Sequence, residues 1–149
     1  MTGEVFLVGG ILLALCTAVQ SIVSVILIRL LVKYDRKGFF RKSLIHSAVI
    51  VESAAGILVL SFLLQATFWA AAYVWLGEFS DFGTSLYFSV VSYATLGYGD
   101  IVLTDRWRLL GALESLNGLI MGGFSASLFF TIASKILSGR RKNGTEREG

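Results

Sequence analysis

Residues 95–100 read Thr-Leu-Gly-Tyr-Gly-Asp, a polar stretch with two glycines in a chain that is 55% hydrophobic. Glycine reaches backbone dihedrals that other residues avoid, so Gly97 and Gly99 permit an extended segment whose carbonyls all point to one side. A row of carbonyls facing a cavity can replace the hydration shell of a dehydrated cation. These residues therefore favour cation binding by backbone oxygens, and the alternative is an ordinary extracellular turn.

Such a segment needs elements that hold it in place, and the residues before it predict one. Residues 82–94 are apolar and aromatic but too short to cross a bilayer, which predicts a re-entrant pore helix capped by Ser80 or Asp81. The carbonyl end of this helix would point toward the membrane centre and favour positive charge there. Non-helical backbone at that depth is tolerated only where protein buries it or where it lines a watery cavity.

The rest of the chain supplies the helices around this segment. Its 149 residues are only 15% charged, against about 25% in soluble proteins, so lipid is the expected solvent. Three stretches are long and apolar enough to span: a peripheral helix at residues 4–33, an outer helix at 44–76 and an inner helix at 107–137. The predicted fold is an all-α membrane protein of three transmembrane helices, the pore helix and the loop at 95–100.

Positive charge predicts the orientation of these helices. The linker at residues 34–43 is basic, and the tail at 138–149, predicted to be flexible, is also rich in Lys and Arg, whereas residues 77–108 contain only Arg106 and Arg108. The positive-inside rule places the linker and the C-terminus in the cytoplasm and the N-terminus outside. We expect an integral protein of the plasma membrane whose linker lies near anionic lipid headgroups, although the topology alone would explain the charge of the linker.

In this context TLGYGD resembles the selectivity filter of potassium channels, TVGYGD, and the resemblance covers the pore domain at residues 44–137. The ion-binding segment that it implies comprises Thr95, Leu96, Gly97, Tyr98 and Gly99. The carbonyls of the first four residues, with the Thr95 hydroxyl, would form stacked K⁺ sites. Tyr98 favours K⁺ over Na⁺, because a related nonselective cation channel carries aspartate at that position. Since four strands must surround the ion and each chain has one, the resemblance implies a homotetramer.

The sequence departs from the family pattern at two positions near this segment. Leu96 replaces the usual valine and lacks the β-branch that stiffens an extended backbone, so we expect a more pliable filter. Val91 stands where some bacterial members carry a glutamate that braces the filter aspartate, here Asp100. Tyr87 then becomes the expected hydrogen-bond donor to Asp100.

The inner helix carries glycines and a predicted pore-facing stripe. Proline is absent from the chain, and Gly118, Gly122 and Gly123 interrupt the inner helix, with Gly118 close to the hinge glycine of the family. Each glycine is either a gating hinge or a site of close helix packing. Helical spacing predicts that the cavity below the filter is lined by Leu119, Ala126, Phe130 and Ser134. Phe130 is a candidate hydrophobic gate, or it packs against the outer helix.

Two acidic residues lie within the predicted spans. Glu114 is expected behind the filter, either bonded to Ser89, Ser92 or Tyr93 of the pore helix or simply protonated. For Glu52, Gln20 of the first span is one of several possible partners.

Other functions find little support in the sequence. A single histidine without a metal-ligand cluster or a nucleophile–base pair argues against an enzyme, and a net charge of +3 does not indicate nucleic-acid binding. The only expected bound ion is K⁺, as the permeant species. The remaining alternatives are a weakly selective monovalent cation channel, a channel-derived K⁺ transporter and a non-conducting membrane scaffold. The first span has no arginine repeat, so it is expected to brace the outer helix and not to sense voltage.

Overall fold

The computed structural model describes residues 2–36 and 44–145, and all regular structure in these ranges is helical. The four helices are α1 (Thr2–Arg36), α2 (Leu44–Trp75), α3 (Phe82–Tyr93) and α4 (Arg108–Thr145). Three of them are long and apolar enough to cross a membrane, over Gly3–Tyr34, Ile45–Trp75 and Arg108–Lys135. The predicted all-α class, with three helices capable of spanning a membrane, is therefore confirmed.

The helix ends differ from the predicted ones mainly at the two basic segments. Helices α2 and α3 begin at the predicted residues and end one residue early, whereas α1 continues to Arg36 and α4 passes the predicted end at residue 137. Charge alone does not stop a helix, because Lys and Arg are good helix formers and proline is absent. Most of the predicted linker, residues 37–43, and the end of the tail, residues 146–149, lie outside the described residues.

The chain divides into two compact units, and the first comprises Met1–Gln20 and Leu60–Gly123. Its core is aromatic where α2 meets α3: the Tyr73 ring meets the Phe88 ring edge to face, with centroids 5.4 Å apart and planes at 82°. This arrangement is the preferred geometry for aromatic pairs and fixes the orientation of both rings. A hydrogen bond of 2.8 Å from the Ser85 hydroxyl to the Ala70 carbonyl also joins the two helices.

Helices α1 and α4 complete the core of the first unit. Val5, Leu12 and Cys16 of α1 are buried in it, as are Leu110 and Met121 of α4. The predicted pore helix α3 thus packs in a core to which all three long helices contribute.

The second unit comprises Ser21–Val59 and Phe124–Gly149 and has a separate aliphatic core. That core is formed by Leu27 and Leu31 of α1, Ala54 and Leu58 of α2, and Ile132 of α4. Partly buried apolar side chains, among them Val23, Ile50 and Leu128, pack against this core.

Candidate functional site

The pore helix α3 begins at a well-formed cap. Asp81 is extended (φ −123°, ψ 131°), and its Oδ2 accepts hydrogen bonds from the Thr84 backbone N–H at 2.7 Å and the Thr84 hydroxyl at 2.9 Å. Of the two expected caps, Asp81 is the one that the structure uses. The same bonds favour the charged carboxylate, so they lower the pKa of Asp81 below its ordinary value.

The segment after α3 has left-handed backbone dihedrals at every second residue. The φ angles are 58° at Thr95, 57° at Gly97 and 75° at Gly99. Glycine adopts such angles at little steric cost, but a β-branched residue such as Thr95 rarely does. A left-handed non-glycine residue costs about 1–3 kcal/mol and persists only where its surroundings hold it.

The first residues of this segment remain bonded to the pore helix. The Thr95 N–H donates to the Ser92 carbonyl and the Leu96 N–H donates to the Val91 carbonyl, each at 2.9 Å. These two bonds fix the point at which the chain leaves α3. Farther along, the side chains of Leu96 and Tyr98 are 55% and 65% exposed in the single chain.

The C-terminal end of the segment is tied to α3 by a side-chain hydrogen bond. The Tyr87 hydroxyl donates to Asp100 Oδ2 at 2.8 Å, as the sequence analysis expected. Asp100 accepts this hydrogen bond, which stabilises the neutral phenol and raises the pKa of Tyr87 above its ordinary value. Val91, at the position of the bracing glutamate, has a buried side chain and contributes through its carbonyl.

Glu114 lies in the core of the first unit, fully buried. Its Oε2 accepts a hydrogen bond from the Tyr73 hydroxyl at 2.8 Å. Ser89 is close enough to interact with Glu114, but neither Ser89 Oγ nor Glu114 Oε1 makes a hydrogen bond of good geometry to the described residues. The observed hydrogen-bond partner of Glu114 is thus Tyr73 of α2, whose long phenol reaches the carboxyl group, while Ser89 of α3 lies nearby.

Sequence reasoning missed two buried amides and underrated a third. Gln65 and Asn117 were not singled out, and Gln20 was considered only as a partner of Glu52. These three amides are at most 3% exposed, and Gln65 Nε2 donates to Gln20 Oε1 at 3.1 Å. A lone amide side chain inside an apolar span was the available signal, because such groups must find partners away from water. Glu52 itself is exposed.

Gly118 is the point where α4 touches the pore helix. A Cβ atom at Gly118 would overlap the carbonyl oxygen of Tyr93 and lie only 2.7 Å from its carbonyl carbon. Around Gly122 and Gly123 no described atom lies within 4 Å of such a Cβ. Close packing is thus observed at Gly118 within the single chain, and the other two glycines have free space there.

The predicted pore-facing residues of α4 make few contacts with the rest of the chain. Leu119 of the first unit is 64% exposed, and Phe130 of the second unit is 73% exposed, so Phe130 is not part of a core. Ala126 is also exposed, and Ser134 is half-buried with its hydroxyl bonded to the Phe130 carbonyl at 2.7 Å. Among the side chains described, no cluster of three or more His, Cys, Asp or Glu residues could hold a metal ion.

Comparison with known proteins gives two matches. A family model described as "Ion channel" matches residues 57–135, just over half of the chain. A stretch of 51 residues is 41% identical to the TWiK family of potassium channels protein 18 of Caenorhabditis elegans. That stretch is 34% of this chain and only 11% of the relative, so the chain spans a small part of that relative's length. No solved structure matches the chain.

Proposed function

This chain belongs to the ion-channel family, and we propose that four copies of it form a potassium-selective pore whose filter is residues 95–100. Family membership makes the protein a channel and not an enzyme. The finer proposal concerns the permeant ion, the filter and the assembly.

One observation carries the proposal: the left-handed φ angles at Thr95, Gly97 and Gly99. In a strand whose residues all have negative φ, successive carbonyls point to opposite sides. Alternating the sign of φ turns every second peptide plane, so that successive carbonyls face the same side. Carbonyls aligned in this way are the ligands by which a filter replaces the water around K⁺.

The surroundings of the segment support this assignment. The pore helix is capped at its outer end by Asp81, so its carbonyl end lies next to Thr95 and favours a cation there. The match to a potassium channel relative points to K⁺ as the permeant ion. Tyr98 supports selectivity for K⁺ over Na⁺, because the segment resembles the potassium-channel filter at that position. Leu96 departs from that filter, so a difference in selectivity from the family would arise there.

A tetramer follows from the number of filter strands. Each chain supplies one segment, and an ion enclosed by carbonyls requires several strands around it. Leu96 and Tyr98 are more than half exposed in the single chain, which is consistent with neighbouring copies covering them. Leu119 would then line the cavity below the filter, and Phe130 stays a predicted constriction that closes by dewetting.

In the proposed arrangement the channel lies in the plasma membrane with its N-terminus outside. The basic residues at 33–42 and at the end of α4 would face the cytoplasm near lipid headgroups. The filter would open to the outside beyond Asp100.

Potassium flux into liposomes that contain the purified protein tests the proposal. We expect flux that Ba²⁺ blocks and reversal potentials that follow K⁺ in mixed K⁺ and Na⁺. Gly97→Ala should abolish the flux, because alanine is strained at a φ of 57°, whereas Gly10→Ala, at an open position of α1, should leave it intact. Equal permeability to K⁺ and Na⁺ would refute selectivity. Absence of flux at every pH and voltage tried would favour a scaffold.

A further inference from the structure

A chain of buried hydrogen bonds links the first helix to the end of the pore helix. Gln65 Nε2 of α2 donates to Gln20 Oε1 of α1 at 3.1 Å, and the Tyr93 hydroxyl of α3 donates to Gln65 Oε1 at 2.8 Å. Gln20 is 3% exposed, and Gln65 and Tyr93 are each 1% exposed. The amide oxygen of Gln65 thus reaches α3, and its Nε2 reaches α1 while also donating to the Ser61 hydroxyl of its own helix at 3.0 Å.

The site reached by this chain is the last turn of the pore helix. Tyr93 is the final residue of α3 and precedes Thr95 by two positions. Its ring meets the Phe62 ring edge to face with centroids 4.7 Å apart, and its carbonyl lies against Gly118. Tyr93 is thus held through its hydroxyl, its ring and its backbone, and a shift of this residue would move the start of the filter segment.

Helix α1 reaches the same place through a second residue. Cys16, one turn before Gln20, is fully buried and close enough to Tyr93 and Asn117 to interact with both. Farther up the helix, a Cβ at Gly9 would lie 2.7 Å from Leu113 Cδ1 of α4, so α1 packs closely there as well. Close packing at Gly9 and the hydrogen bond at Gln20 thus both join α1 to this unit.

From these contacts we propose that α1 positions the selectivity filter through the Gln20–Gln65–Tyr93 chain of hydrogen bonds. Apolar side chains of similar size would fill the same space, but a hydrogen bond also fixes distance and direction. A fully bonded polar chain in a core therefore specifies one relative position of its helices. The residues position the filter and do not touch the ion. This inference rests on the proposed function, since it assigns Gln20, Gln65 and Tyr93 to the filter of a potassium channel.

The test uses variants that delete hydrogen bonds while keeping bulk. Tyr93→Phe removes only the hydroxyl, and Gln20→Leu removes the acceptor on α1. Thr17→Val is the matched control, because the exposed Thr17 hydroxyl donates to the Leu13 carbonyl of its own helix. The readout is the K⁺ to Na⁺ permeability ratio of the full-length protein in liposomes.

We expect Tyr93→Phe and Gln20→Leu each to lower that ratio about 2- to 12-fold, the effect of one net hydrogen bond. Gln20 and Tyr93 are linked through Gln65, so the double variant should fall no further than the stronger single variant. Thr17→Val should keep the wild-type ratio. Unchanged ratios in Tyr93→Phe and Gln20→Leu, or effects that simply multiply in the double variant, would overturn the inference.

A second measurement separates positioning from general stability and from failure of the proposed function. K⁺ that binds the folded filter raises the melting temperature of the purified protein. If the hydrogen bonds position the filter, the two variants should lose part of this K⁺-dependent increase in melting temperature. This measurement also serves for a variant whose current is too small to give a permeability ratio. An equal loss of stability with and without K⁺ would show a merely structural role. If wild-type protein neither conducts K⁺ nor is stabilised by it, the proposed function itself fails; if it does both and Tyr93→Phe changes neither, only this inference fails.

Discussion

The contact between Gly118 and the end of the pore helix gives a quantitative prediction for Gly118→Ala. The added Cβ would lie 2.7 Å from the Tyr93 carbonyl carbon and 3.0 Å from its Cα, whereas carbon atoms pack at about 3.5–4.0 Å. Both sides of the contact are backbone, so no change of rotamer can relieve the overlap and α3 and α4 must separate by about 1 Å. Overpacking of this kind costs about 1–3 kcal/mol.

Gly122→Ala is the matched control for this variant. Alanine stabilises a helix interior by about 0.8–1.0 kcal/mol relative to glycine, and this gain is common to both substitutions. At Gly122 the new methyl group meets no described atom within 4 Å. The difference between the two variants therefore isolates the contact with Tyr93, and we expect Gly118→Ala to be the less stable by about 1–3 kcal/mol.

The melting temperature of the purified protein in detergent measures this difference. For a chain of this size 1 kcal/mol shifts Tm by about 2–4 °C, so Gly118→Ala should melt about 2–12 °C below Gly122→Ala. Equal melting temperatures would refute the close contact. Equal values would instead favour the alternative that Gly118 is a flexible hinge with free space around it.

Two further predictions concern the cap of the pore helix and the packing of α1. The pKa of Asp81 is lowered in the folded protein, so its stabilising effect is complete above the pKa of the unfolded chain and is lost as the pH falls through the lower folded value. Asp81→Asn keeps a capping side chain but removes the titrating group. The melting temperature of this variant should therefore fall less at acidic pH than that of the wild type. An unchanged dependence of Tm on pH would contradict this role of Asp81. Gly9→Ala should lower Tm relative to Gly10→Ala, because only at Gly9 would the new Cβ lie 2.7 Å from Leu113, and equal Tm values would show that Leu113 yields freely.

Much of the fold was predictable because membrane helices are set by length and hydropathy. The start of α2 was predictable from its first apolar residue, and the start of α3 was predictable from the capping residue Asp81. The ends of α1 and α4 were harder to predict, since a basic segment without proline has no strong stop signal. The division of the chain into two units depends on contacts between distant residues and left no trace in the local pattern.

The candidate site was predictable where one residue type has one evident task. Gly97 and Gly99 were expected to adopt unusual dihedrals, and both have positive φ. Tyr87 was within reach of Asp100 in a short helix–loop unit, and the hydrogen bond is present. The partner of Glu114 was not predictable in the same way, because Tyr73 lies 41 residues away and its approach depends on how two long helices pack.

The strained residue Thr95 connects these observations. Its left-handed φ costs about 1–3 kcal/mol, which an isolated loop would relax by changing φ. The structure opposes that relaxation immediately before the residue: Tyr93 is fixed by Gln65 through its hydroxyl and by Gly118 at its carbonyl, and the Thr95 N–H is bonded to Ser92. The constraint on the filter segment therefore arises from helices α2 and α4 as well as from the loop sequence. It follows that substitutions at these contacts in α2 and α4, away from residues 95–100, should also change the backbone at Thr95.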